Sequence, residues 1–186
     1  MKIILLILLI STSVFANIGK ITAIKGDVHI ERNSQIFSAK LGMFVEQNDT
    51  VKTKTNARTQ LVLTDNTIIS IGKNSVFSIE EYLFESKKPV VAKFKFGNGI
   101  FKTITGKIGK INPKKFILKT KTASIGIRGT IVGIDSSEKG DIIIIPQGVV
   151  EVVTPEGVVV VNEGEMIESI AGVKPEVKAI PEARQE

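Results

Sequence analysis

The chain has 186 residues, 42% of them hydrophobic and 24% charged, with 16 Gly, 6 Pro, one His and no Cys. That length suits one domain with a real core, and the apolar fraction excludes intrinsic disorder. Without Cys there is no disulfide, no thiol catalysis and no Cys-based zinc site, and a single His leaves no multi-His metal centre. Trp is absent and Tyr82 is the only Tyr, so stacking platforms for sugars or single-stranded nucleic acid are poorly supplied. Composition leans against an enzyme.

The chain opens with Met1-Lys2, an unbroken Ile/Leu run from Ile3 to Ile10, and then Ser11-Thr12-Ser13 leading into Val14-Phe15-Ala16. This pattern predicts a signal peptide over residues 1–16, cleaved between Ala16 and Asn17. The apolar run is far shorter than the roughly 20 residues that span a bilayer. No Cys stands at the cleavage point to accept a lipid, so a lipoprotein is not expected. The expectation is an exported protein, periplasmic or secreted, with no integral membrane segment after signal removal.

Beyond the signal the apolar period is close to two, and β-branched residues are dense. Val28 and Ile30 alternate with His29 and Glu31. In Leu61-Val62-Leu63 and Thr67-Ile68-Ile69-Ser70-Ile71 apolar residues fill both faces of two strands, with Asp65-Asn66 as the turn between them. Phe94 and Phe96 alternate with Lys93 and Lys95 before Gly97-Asn98-Gly99 turns the chain into Ile100-Phe101. Ile142 to Ile145 and Val158 to Val161 read as strands buried on both faces. No 12-residue window carries a helical stripe. A charged tail, residues 171–186, contains Pro175 and Pro181 and is expected to be poorly ordered. The predicted fold is all-β, a single domain over residues 17–170, built as a twisted β-solenoid-like or sandwich-like stack of short strands. An internal echo supports a repeated unit: Gly26, Val28, Ile30, Ile36, Phe37 and Gly42 recur at a constant offset as Gly148, Val150, Val152, Val158, Val159 and Gly164.

The run Thr120-Lys-Thr-Ala-Ser-Ile-Gly-Ile-Arg-Gly-Thr-Ile-Val-Gly-Ile-Asp135 resembles the signature of the FecR domain. Asn48-Asp49-Thr50-Val51-Lys52-Thr53 and the stretch Leu61 to Ile71 are similar to two further steps of that family, with Asn48 and Asn66 where Gly is common; Asn tolerates the left-handed backbone such turns need. The resemblance continues through Ser75–Ile79 and Gly148–Val152 and covers about Gly19 to Glu165. It implies a non-catalytic extracytoplasmic interaction module that docks an envelope protein. In members of the iron-transport regulator type a cytoplasmic anti-sigma segment and a membrane helix precede this domain. Neither is legible here, so the regulatory role is not expected to carry over.

The chemistry-bearing residues form no catalytic set, and no cofactor or metal is expected. His29 has no second His and reads as a solvent-facing strand residue. Glu80, Glu81 and Glu85 read as a solvated loop edge. Asp135 to Asp141 lacks the ligand spacing of a calcium loop, and Gly106 to Lys110 lacks that of a phosphate loop. Arg128 stands before Gly129, a candidate bend or bulge. The favoured reading gives Arg128 a structural part, its donors bound to nearby carbonyls or to Asp135; the other reading is contact with a partner's carboxylate.

Charge is uneven. Residues 86–134 hold eleven Lys and one Arg with no acid, whereas residues 135–186 hold eleven acids against four bases. An exported protein rarely meets nucleic acid, so the basic block suggests either an acidic protein face or an acidic cell-envelope polymer. Its field is cancelled instead if those strands pair with the acidic C-terminal ones. The predicted partner-contact residues are Lys119, Lys121, Arg128, Gly129 and Thr130.

Overall fold

The computed structural model describes residues 17–85 and 89–181. The predicted signal peptide, residues 1–16, lies outside the described residues, as do 182–186 of the tail. Strands make up 60% of the described residues and helix 5%, an all-β single domain.

Period-two patterning yields β1 (Gly19–Lys25), β2 (Val28–Arg32), β3 (Gln35–Ser38), β4 (Phe44–Val45), β5 (Thr50–Thr53), β6 (Arg58–Leu63), β7 (Ile68–Ile71), β8 (Val76–Leu83), β9 (Val91–Phe96) and β10 (Gly99–Ile104). A short helix, α1 (Lys107–Ile111), and a 3-10 turn at Pro113–Lys115 follow. The chain then forms β11 (Phe116–Lys119), the long β12 (Ser124–Ser137) and β13 (Gly140–Thr154), and finally β14 (Gly157–Val161), β15 (Glu165–Ser169) and β16 (Val177–Ala179).

All sixteen strands belong to one sheet that curls back on itself in two wings. The first wing runs β3-β2-β5-β8-β9-β11 and continues through the N-terminal half of β12, the C-terminal half of β13 and β14. The second runs β4-β1-β6-β7-β10 and continues through the other halves of β12 and β13 to β15 and β16. Among the described residues only β9 and β11 pair in parallel.

Bends that carry the chain from one wing to the other hold residues with positive φ, among them Gly26 (73°), Asn56 (63°), Asn74 (51°), Gly99 (126°), Gly129 (65°) and Gly148 (90°). Only Gly, and to a lesser degree Asn, takes that backbone cheaply, so these residues decide where the sheet folds over. The Gly97-Asn98-Gly99 stretch is therefore such a corner rather than a hairpin turn, because β9 and β10 have different partners.

The inner faces meet over Phe77, Phe94, Phe96, Phe116, Leu61, Ile69 and Ile143, all fully buried. The Phe96 and Phe101 rings touch across the wings edge to face, centroids 4.9 Å apart, an arrangement that aromatic quadrupoles favour. The wings are also pinned at the end away from the Gly26 bend. Asp65, in the β6–β7 turn, is fully buried. Its carboxylate accepts from Tyr82 Oη (3.0 Å), Thr67 N (3.0 Å), Thr67 Oγ1 (2.8 Å) and Ile108 N (3.1 Å). One side chain thus joins β8 to α1, whose Ile108 is fully buried in the core. Burial pushes the Tyr82 phenol well above its usual range. Arg32 ties the β4–β5 turn through Asp49, whose hydrogen bonds raise its pKa further.

The sequence echo is a structural one. Bend, hairpin and return strand recur as Gly26–β2–β3–β4 and Gly148–β13–β14–β15, with Gly42 and Gly164 both near φ 80°. Three expectations need correction. Val158 and Val160 are exposed and Ile142 and Ile144 half-buried, because β14 is an edge strand and β13 presents one face outward. Glu80 and Glu81 lie within β8, not on a loop edge. In the tail, Val177–Ala179 pairs with β15 and Ile180 is buried, as apolar residues close over that strand. No described helix is long and apolar enough to cross a membrane.

Candidate protein-docking site

The run Ile125 to Thr130 occupies the first half of β12, where alternation sends Ile125 and Ile127 into the core and Gly126 and Arg128 outward. Gly129 then bends the strand, and a Cβ built on it would meet nothing within 4 Å, so φ alone demands glycine there. Thr130 is buried and fastened to Thr105: its N donates to Thr105 Oγ1 (2.8 Å), and its carbonyl accepts from Thr105 N (3.2 Å) and Oγ1 (3.1 Å). Gly148 closes against this bend so tightly that a Cβ there would lie 2.6 Å from Thr130 Cγ2. Gly129 and Thr130 therefore shape the strand rather than offer contacts.

Arg128 departs from the favoured reading. It is exposed, it makes no hydrogen bond or ion pair among the described residues, and it pairs in register with Val149 of β13 while Asp135 faces solvent in the other wing. The bend at Gly129 carries Arg128 outward, so the structural part assigned to it is not filled. A shallow groove of about 900 Å³ lies beside it, lined by Lys114, Gly126, Val149, Glu151 and Val160. Register explains the shape: Glu151 sits opposite both Gly126 and Val160, and the absent side chain at Gly126 leaves the floor at backbone level. A Cβ on Gly126 would approach only the Glu151 carbonyl, at 3.8 Å. Valines line the groove, together with two cations, Lys114 and Arg128, and one carboxylate, Glu151, in the row between Gly126 and Val160. Such a surface suits an extended or loop segment with a mixed-charge rim.

The two predicted lysines are otherwise engaged. Lys119 shares this outer face through β11, and its Nζ lies 2.8 Å from Glu80 of β8. Lys121, at the wing end, pairs with Glu138, which also accepts from Asn98 Nδ2 (2.8 Å). The Lys121 hydrogen bond holds the Glu138 carboxyl below its usual range. Lys93 pairs with Glu81 at 2.5 Å. The basic block is thus partly neutralised, chiefly by β8 rather than by the acidic C-terminal strands, since β9 pairs with β8 and β11 lies next along, beyond β9. Val149, Glu151, Val160 and Lys114 were missed as site residues; the outward alternation of Val149 and Glu151 was the available signal. His29 stays at the surface with Nδ1 3.2 Å from Asp27. Among the described residues no three His, Asp or Glu side chains gather as a metal site.

The family model described as FecR protein matches residues 49–151, more than half of the chain and inclusive of the β12 run. No curated protein matches. Two crystal structures of a protein from Parabacteroides distasonis ATCC 8503, provisionally assigned as an anti-sigma factor, are similar in fold: 17% and 18% identity, each with a TM-score of 0.56 over 70% of this chain. The matched region spans 59% of those chains. With the match running from the β4–β5 turn into β13 and taking in the bent β12, the chain belongs to the FecR protein family.

Proposed function

We propose that the protein is a non-catalytic docking module that captures a protein partner outside the cytoplasm through the outer-face groove of β12–β14. The observation that carries this reading is the outward-facing pair Gly126, half-buried, and Arg128, exposed, within the run that resembles the family signature. Neither outward position holds the fold together: Gly126 has room for a side chain, and Arg128 has no partner among the described residues. Exposed apolar surface next to an uncommitted guanidinium is typical of contact sites. Family membership and the anti-sigma assignment of the structural neighbours are in keeping with a role exercised through protein contacts. Export rests on the N-terminal pattern Met1 to Ala16. The acidic-polymer alternative is less favoured, because Lys93, Lys119 and Lys121 are held by glutamates.

The test is a photo-crosslinking residue at position 149 in producing cells, with position 70 on the other wing as control. A discrete protein adduct at 149 and not at 70 supports the reading. A heterogeneous glycan smear at 149 favours the polymer, and equal labelling at both positions overturns the groove.

A further inference from the structure

The first wing ends in two strands that nothing covers among the described residues: β3 pairs only with β2, and β14 only with β13. Each therefore presents alternate backbone N–H and C=O groups along a free edge. Natural sheets blunt such edges with Lys, Pro or bulges. Here β3 reads Gln-Ile-Phe-Ser and β14 reads Gly-Val-Val-Val-Val, with none of these. Ile36 is 70% exposed, Val158 60% and Val160 54%, so both edges also carry outward apolar side chains.

We propose that these two edges join one another between copies of this chain, β14 of one copy pairing with β3 of the next in a head-to-tail row. This goes beyond the groove reading and does not depend on it. Topology allows the join: counted across the wing, seven antiparallel pairings and one parallel pairing leave β14 running opposite to β3. A copy placed beside β14 in the same orientation therefore continues the wing as an antiparallel sheet, outer face to outer face. The lengths are similar, at five and four residues.

Charge selects the opposite end of a second copy over the like end. Residues 17–58, around β3, hold seven Lys or Arg and four acids, while residues 140–181, around β14, hold seven acids and two Lys. In the head-to-tail arrangement Glu156, at the start of β14, comes to the end of β3 that leads into exposed Lys40. A two-fold β14–β14 pairing would set acid against acid. The repeated Gly–hairpin–Gly unit at the two ends gives the edges similar form, as in stacked-repeat proteins where each unit covers its neighbour. The contact is heterologous and does not close on itself, so it yields open rows rather than a fixed dimer. The edges are short, and the association is correspondingly weak.

The test is sedimentation velocity on the purified protein from about 10 μM to about 1 mM, a range that brackets weak association. The expected result is a mass that climbs past two chains with concentration and falls with added salt. Val158→Lys and Ile36→Lys should each be monomeric alone, yet mixed they should give a 1:1 pair, since each retains the edge the other lacks. Val158 lies outside the groove lining, so this test does not disturb the proposed partner site. Circular dichroism checks the fold, with Val158→Pro and Ile36→Pro as second variants should either Lys variant unfold. A wild-type monomer throughout overturns the proposal. So does dimerisation of Ile36→Lys alone, which would mean β14 pairs with β14.

Discussion

Alanine at the two bends of the long hairpin separates backbone strain from steric closure. At Gly129, φ is +65° and a Cβ meets nothing within 4 Å, so Gly129→Ala incurs only the left-handed backbone, about 1 kcal/mol. At Gly148, φ is +90° and the new Cβ lies 2.6 Å from Thr130 Cγ2 and 3.0 Å from the Gly129 carbonyl. Thr130 is buried and its backbone is held by three hydrogen bonds with Thr105, so it has little freedom to move aside. Overpacking of this kind adds about 1–3 kcal/mol, bringing Gly148→Ala to about 3 kcal/mol. For a chain of this size each kcal/mol lowers Tm by about 2–4 °C, so the two variants should differ by several degrees. Gly129→Asn should fall closest to the parent, because Asn visits this backbone region several-fold more often than other side chains. Far-UV circular dichroism in urea reads all three, with equal slopes confirming an unchanged unfolding unit. Equal midpoints for Gly129→Ala and Gly148→Ala would refute the steric account of the Gly148 bend.

Asp65→Ala should cost about 3 kcal/mol or more, since it strands the donors of Thr67, Tyr82 and Ile108 in a buried site; a melt within a degree of the parent would contradict the pin. The Tyr82 phenol titrates higher in the folded protein than its unfolded value of about 10. Its contribution is therefore intact below about pH 10 and lost as pH rises through the folded value. Tyr82→Phe should be weaker at neutral pH but flatter above pH 10, and parallel stability–pH curves for the two proteins would show that Tyr82 plays no such part. Export predicts that the envelope form begins at Asn17, which N-terminal sequencing reads directly; a retained Met1 would overturn cleavage.

The all-β class, the β6–β7 turn at Asp65-Asn66 and the repeated hairpin were legible because each depends on local chemistry: period-two patterning, a turn residue, paired glycines. Asn66 does adopt positive φ, at 68°. What escaped was whatever depends on which strands become neighbours. Alternation shows that Lys119 faces away from the core, but not that Glu80, 39 positions earlier, lies beside it. The isoleucines around Arg128 suggested burial, yet they point inward while Arg128 points out, and the Gly129 bend leaves it on an open surface. The valines of β14 looked fully buried because an edge strand and a central strand can share one composition. The groove is a product of register, setting Gly126, Glu151 and Val160 in one row.

Gly126→Leu tests the docking groove most directly, because it fills the floor without asking the backbone for anything new. The position has ordinary φ and only the Glu151 carbonyl within 4 Å, and replacing a strand glycine should leave stability unchanged or raise it by about 0.5–1 kcal/mol. Binding of purified Gly126→Leu to the protein captured at position 149 should weaken by at least about tenfold, the equivalent of 1.4 kcal/mol, with no loss in the urea midpoint. Unchanged affinity in a variant that folds normally would contradict the claim that the partner sits in this groove.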